Sequence, residues 1–152
     1  MGEGTMFVPD DFAVPAGLAV DGFRLEPLGP QHNEEDFAAW TSSIEHIRNT
    51  PGFGGQKWPD PTMTLEDNLS DLRRHAADFS GRRGFTYTVL AAGSDTDVVG
   101  CVYIYPSKDG AHDALVESWV RADRAELDGP LRTAVRAWLA AAWPFTAASY
   151  EG

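Results

Sequence analysis

The sequence predicts one α/β (α+β) domain, a mixed and mostly antiparallel sheet flanked by helices. Three observations lead there. Phe23 to Leu28, Phe85 to Leu90, Val98 to Tyr105 and Ala114 to Val120 are short apolar or alternating runs bounded by turn residues, the pattern of strands. Two longer stretches, Leu65 to Phe79 and Leu131 to Ala142, repeat apolar residues every three or four positions, the pattern of amphipathic helices. The chain has 152 residues, 43% of them hydrophobic, which suffices for one domain with a core and is short for two.

The elements follow in order. Residues 1–22 hold Pro9, Pro15, Gly17 and Gly22 among scattered apolar residues, which predicts an extended arm packed on a body formed by residues 23–152. The first strand, from Phe23, alternates apolar and polar residues and stops at Gly29-Pro30. Asn33 is the expected N-cap of a helix carrying Phe37 and Trp40, with Glu34, Glu35 and Asp36 in a first turn that favours acids. A second short helix is expected over Ser43 to Asn49. Thr50 to Thr62, rich in proline and glycine, reads as a long loop of the kind that often carries function. Thr64 caps the next helix, whose apolar stripe is Leu65, Leu69, Leu72, Ala76 and Phe79, and Gly81 and Gly84 end it. Three strands then form a meander through the turns at Gly93-Ser94-Asp95-Thr96 and Lys108-Asp109-Gly110. A last helix, with Leu131, Val135, Trp138, Leu139 and Ala142 on one face, ends at Pro144, and Phe145 to Tyr150 is the fifth strand.

Composition removes several classes of function. A formal net charge of −11 opposes nucleic acid, whose phosphates need a basic face, and mildly favours cationic partners such as amines. No apolar run is long enough for a membrane span, and the first residues lack the basic start and apolar core of a secretory signal. The single cysteine, Cys101, allows no internal disulfide and fits a reducing, cytoplasmic setting. His32, His46, His75 and His112 show no metal-ligand spacing, so no metal is expected.

The richest stretch is Glu117 to Leu139, a strand running into an amphipathic helix with Gly129-Pro130 at the junction. The start of a helix offers free N–H groups and the positive end of its dipole, a ready anion site. The element order, with FRLEPLGPQH as opening strand, GCVYIYP as strand three and ESWVRAD as strand four, resembles the GNAT N-acetyltransferases from Phe23 onward. That resemblance implies acetyl-CoA as co-substrate, lying between splayed strands four and five, and an amine of a small molecule or peptide as acceptor. It assigns pantetheine to the strand-four backbone at Trp119 and Val120, and pyrophosphate to the turn beyond, with Arg121, Arg124, Gly129 and Arg132.

Two departures stand out. With Arg124 as the leading residue of the family's glycine-rich turn, the first glycine position is Leu127 and only Gly129 remains. Glu126 and Asp128 also bring like charge to a phosphate, about 4 kcal/mol at about 4 Å and an effective dielectric near 20. The other departure is a sequence that stops after strand five, where family members continue. An unpaired edge strand invites a second copy, so a homodimer is expected.

Acetyl transfer needs a base for the ammonium proton and an acid for the departing thiolate. Glu117 shares a strand face with Leu115 and Trp119, and desolvation there raises a carboxyl towards the range of a base; otherwise it is a solvent-facing strand glutamate. Tyr105 is the candidate acid, or a wall residue. Trp40, Glu45, Phe53, Trp58 and Tyr103 come from the segments that cover the family's acceptor pocket, or form a packed lid. Beside acyl transfer stand two other functions for the same fold: a binding or assembly module that has lost CoA, and a different reaction in the old cleft.

Overall fold

A computed structural model describes residues 6–151. Six strands form one sheet in sequence order: β1 (Leu18–Val20), β2 (Phe23–Pro27), β3 (Phe85–Ala91), β4 (Val98–Tyr105), β5 (Ala114–Val120) and β6 (Ala148–Tyr150). All neighbours are antiparallel except β5 and β6, which run parallel. The helices are α1 (Asn33–Thr41), α2 (Ile44–Arg48), α3 (Leu65–Ser80) and α4 (Asp128–Ala142).

The sheet separates two apolar layers. On one face α4 places Leu131, Val135, Trp138 and Leu139 against Phe85, Tyr87, Val102, Ile104, Val116 and Val120. The N-terminal arm adds to this layer: Val8 is buried, and Phe7 stacks on Phe85 and Phe145. Arg82 pins the arm by donating to the carbonyls of Pro9 and Phe12. The opposite face carries α1, α2, α3 and the loop at 50–62, packed through Ala39, Trp40, Ile47, Phe53 and Leu72 onto Leu90, Cys101 and Trp119. The functional cavity lies in this second layer.

Several local expectations are corrected. Asn33 is not the cap of α1; a 3-10 turn, Pro30–His32, leads into the helix, and Asn33 begins it. Proline at the start of that turn sets its φ and has no N–H to leave unpaired, which makes the lead-in cheap. The stripe of α3 is rotated from the all-apolar one. Asn68 and Leu72 are the buried positions and Leu65 is 40% exposed, because Trp40 supplies a polar partner that draws Asn68 inward. Thr64 caps α3 as its sequence predicts, accepting from the Asp67 N–H at 3.1 Å. Alternation breaks once on β4: register shifts between Val89 and Leu90, leaving Val99 as an extra residue between Val98, opposite Leu90, and Gly100, opposite Val89. Gly100 is then required, since a Cβ there would lie 2.4 Å from the Trp119 carbonyl oxygen.

The strand-to-helix junction differs most. β5 does not run straight into α4: a 3-10 segment, Ala122–Leu127, intervenes, and Gly129 and Pro130 belong to the first turn of α4. β6 is also shorter than Phe145 to Tyr150 and pairs with β5 over three positions, Ala114↔Ala148, Leu115↔Ser149 and Val116↔Tyr150.

Candidate active site

Beyond Val116 the β6 side of β5 has no strand partner among the described residues. Glu117 is the first residue past that ladder. It shares the α3 face of the sheet with Leu115 and Trp119, as strand alternation requires, and lies opposite Tyr103 on β4. The loop at 50–56 closes over it. Gln56 Nε2 is 3.4 Å from Glu117 Oε2, and the same amide nitrogen donates to the Gly52 carbonyl. Gly52 adopts φ +97, and a Cβ there would sit 2.9 Å from Glu117 Oε2, so glycine is what lets the loop approach the carboxylate. Burial raises the Glu117 carboxyl above its ordinary value, the Gln56 hydrogen bond opposing this, with the Glu151 charge raising it further.

A cavity of about 290 Å³ opens beside this carboxylate. Tyr103, Tyr105 and Glu117 line its sheet side, Phe53 and Trp58 its loop side, and Asp36, Asn68, Asp71 and His75 its helical side. Of the expected acceptor residues, the structure brings Phe53, Trp58 and Tyr103 to this wall. Trp40 stands behind it, fully buried and 5.4 Å from the Trp58 ring, with its indole N–H on Asn68 Oδ1 at 3.0 Å. Glu45 does not join: it is exposed on the opposite side of α2 from the buried Ile47.

Two groups in the wall with strongly shifted titration escaped the sequence reading. Asp36 is 4% exposed, and its carboxyl is raised to about 6, chiefly by burial, while the Asn68 hydrogen bond pulls the other way. His75 falls to about 4, again chiefly through burial with the Arg74 charge adding, so its imidazole is neutral at pH 7. His75 Nδ1 lies 3.0 Å from both the Tyr105 hydroxyl and Thr86 Oγ1. Tyr105 in turn donates to Asp78 Oδ2 at 2.9 Å. Burial raises Tyr105 to about 12. The signal for both residues was helical spacing: Asp36 precedes the buried Trp40 by four positions, and Asn68, Leu72, His75 and Phe79 recur at intervals of 4, 3 and 4.

The expected cofactor residues are mostly engaged elsewhere. Trp119 is fully buried, with its indole N–H on the Tyr103 hydroxyl at 2.9 Å, and Val120 is core on the α4 side, so only their backbones border the opening. Arg121 binds Asp123, Asp97 and the Val98 carbonyl, and Arg124 pairs with Glu126. Gly129 is exposed in a helical turn and faces open space. Arg132 is buried, donates to Asp128 Oδ2 at 3.0 Å and to the Glu151 carbonyl, and stacks over the Tyr150 ring. Its Nη2 and Asp128 Oδ1 are buried without partners among the described residues. Tyr150 bridges to Ser118 at 2.6 Å, so its ring covers the α4 side of the opening. The Asp128 N–H is spent on the Ala125 carbonyl and Pro130 has none, which leaves the α4 terminus fewer free donors than a bare helix start. Among the described residues no His, Cys, Asp and Glu cluster suits a metal, and no helix is long and apolar enough to cross a membrane.

No protein-family model matches the chain, and no curated protein is similar to it in sequence. Solved structures do resemble it. The ribosomal-protein-S5-alanine acetyltransferase of Vibrio fischeri superposes over 82% of this chain and 67% of its own, with a TM-score of 0.64 and 12% identity. The Microcin C7 self-immunity acetyltransferase MccE, solved with acetyl-CoA and AMP, gives 0.63 and 18% identity over 84% of this chain and 66% of its own. An acetyltransferase from Thermus thermophilus gives 0.55 and 20% identity over 82% and 71%. The chain thus spans about two thirds of the length of these structures. A sheet that opens between parallel β5 and β6, with two helical layers around it, is the fold of the GNAT acetyltransferases, and this chain has that fold.

Proposed function

We propose that the protein is an N-acyltransferase that moves an acetyl group from acetyl-CoA to an amine. The observation that carries this reading is the place of Glu117: a half-buried carboxylate with a raised pKa, one residue beyond the β5–β6 ladder and beside an open-mouthed cavity. An ammonium in the cavity gives its proton to Glu117. The freed nitrogen lone pair attacks the thioester carbonyl and forms the C–N bond, the C–S bond breaks, and the second N–H proton passes from that nitrogen to the departing thiolate, leaving the amide and the CoA thiol. MccE, which holds acetyl-CoA, lends the fold-level support for the donor. The unpaired edge of β5 at Trp119 and Val120 is the place for pantetheine. Arg124 pairs with Glu126 and Arg132 with Asp128, which offsets part of the positive charge they offer a phosphate and implies weaker binding than an intact glycine-rich turn would give.

Tyr105 fits a positioning role better than the role of acid. Its proton is committed to Asp78, burial makes it a weaker acid, and its hydroxyl orients His75. The second reading, a CoA-free binding module, draws on the spent donors and the carboxylate at the start of α4. Calorimetric titration with acetyl-CoA separates the two. Saturable heat at micromolar to submillimolar ligand supports transfer, and none at millimolar ligand removes it. We further propose a homodimer through β6, which is paired on one side only among the described residues; a single monomeric species in sedimentation at tens of micromolar would remove it. The buried, lone Cys101 fits a reducing compartment.

A further inference from the structure

Acyl transfer as described leaves one carboxylate of the cavity without a role. Asp36 Oδ2 accepts from Asn68 Nδ2 at 3.1 Å, while Oδ1 has no hydrogen-bond partner among the described residues. No guanidinium or ammonium pairs with it there either. The group is held in place. Asn68 Oδ1 takes the Trp40 indole N–H at 3.0 Å and its amide also donates to Asn33 Oδ1 at 2.9 Å, so both sides of Asn68 are fixed and its nitrogen faces Asp36. The charge of His32 acts on Asp36 but makes no contact with it; a buried carboxylate without a contacting cation is costly, and a cation entering the cavity offsets that cost.

The rest of the wall suits such a cation. Asp71, also on the helical side, is paired with Arg74 at 3.6 Å, so Asp36 is the acid of that side without an ion pair among the described residues. Arg74, the basic residue of the wall, is 57% exposed and turned towards Asp71 and Asp78. Phe53, Trp58 and Tyr103 also line it, and aromatic rings attract ammonium groups. Asp36 on the helical side and Glu117 on the sheet side border this one cavity.

We propose that the amine acceptor is a diamine, with one ammonium held by Asp36 beside the aromatic side chains and the other amine presented to Glu117. A monoamine of equal length leaves one of the two carboxylates unmatched. The fate of the second amine rests on the acyl-transfer reading; recognition of the diamine does not.

The test is calorimetric titration of the full chain, free of acetyl-CoA, with 1,4-diaminobutane and with butylamine. The diamine is expected to bind at least about tenfold more tightly, the order of one charge-assisted contact, and Asp36→Asn is expected to abolish that preference. Equal affinities in the unaltered protein, or a preference that survives Asp36→Asn, overturn the proposal. The comparison in the unaltered protein decides the matter if the variant does not fold. Diamine binding without acetyl-CoA binding removes the transferase reading and keeps this site; acetyl-CoA binding without diamine preference does the reverse.

Discussion

Asp36 and His75 titrate in opposite senses within one wall. The Asp36 carboxyl is raised to about 6, so the folded state binds a proton more tightly than the unfolded chain, and stability falls as pH rises from about 4 to 6. The His75 imidazole is lowered to about 4, so the unfolded chain binds the proton first, and stability falls as pH drops from about 6.5 to 4. Each shift is worth about 3 kcal/mol, so the two nearly cancel. Asp36→Asn is therefore expected to stabilise the protein by about 1–3 kcal/mol at pH 8, with the gain gone by pH 4, as urea unfolding at several pH values will show. Such a gain would mark Asp36 as kept for binding at the expense of stability. Glu117→Gln tests the other carboxylate. Turnover should drop about 10²-fold or more and its acidic limb should disappear, while acetyl-CoA affinity stays unchanged; intact kinetics would remove Glu117 from the mechanism. Glu117 was legible in sequence because strand alternation fixes its side. Asp36 was not, since an acid in a first helical turn reads equally as a dipole-favoured surface residue.

At the scale of elements, strands and long helices were legible because their periods are set by backbone geometry, and the junctions were not. The β4 bulge illustrates this. Val98-Val99-Gly100-Cys101 reads as continuous apolar strand, and only pairing with β3 reveals the extra residue. Gly100 is the measurable consequence. Alanine there would drive a Cβ into the Trp119 carbonyl, and we expect Gly100→Ala to cost about 1–3 kcal/mol in urea unfolding. The Thr64 cap of α3 was read correctly, from a threonine followed three residues later by an acid. Its removal in Thr64→Ala should cost about 1 kcal/mol, and no change would show that water replaces the hydroxyl fully. The 3-10 segment before α4 was missed because Gly129-Pro130 looks like a turn, yet proline is welcome in a first helical turn and glycine is tolerated there.

Across the whole molecule, one sheet serves two cores of different character: an aromatic layer under α4 and the arm, and a polar-studded layer that holds the cavity. Val8 ties residues far apart in sequence, being 2% exposed in the first layer. Val8→Asp should lower stability by roughly 2–4 kcal/mol, with the urea midpoint as readout; an unshifted midpoint would mean that the arm detaches at little cost. Arm contacts of this kind are long-range, which is why the sequence suggested an adhering segment without naming its partners. The division between layers also sorts the indoles. Trp58 borders the cavity with Trp40 and Trp119 at 5.4 and 6.0 Å, whereas Trp138 and Trp143 lie together beneath the other face. Anything that displaces water from the cavity therefore alters the emission of one indole group and spares the other, so the protein carries an intrinsic fluorescent reporter of its own occupancy.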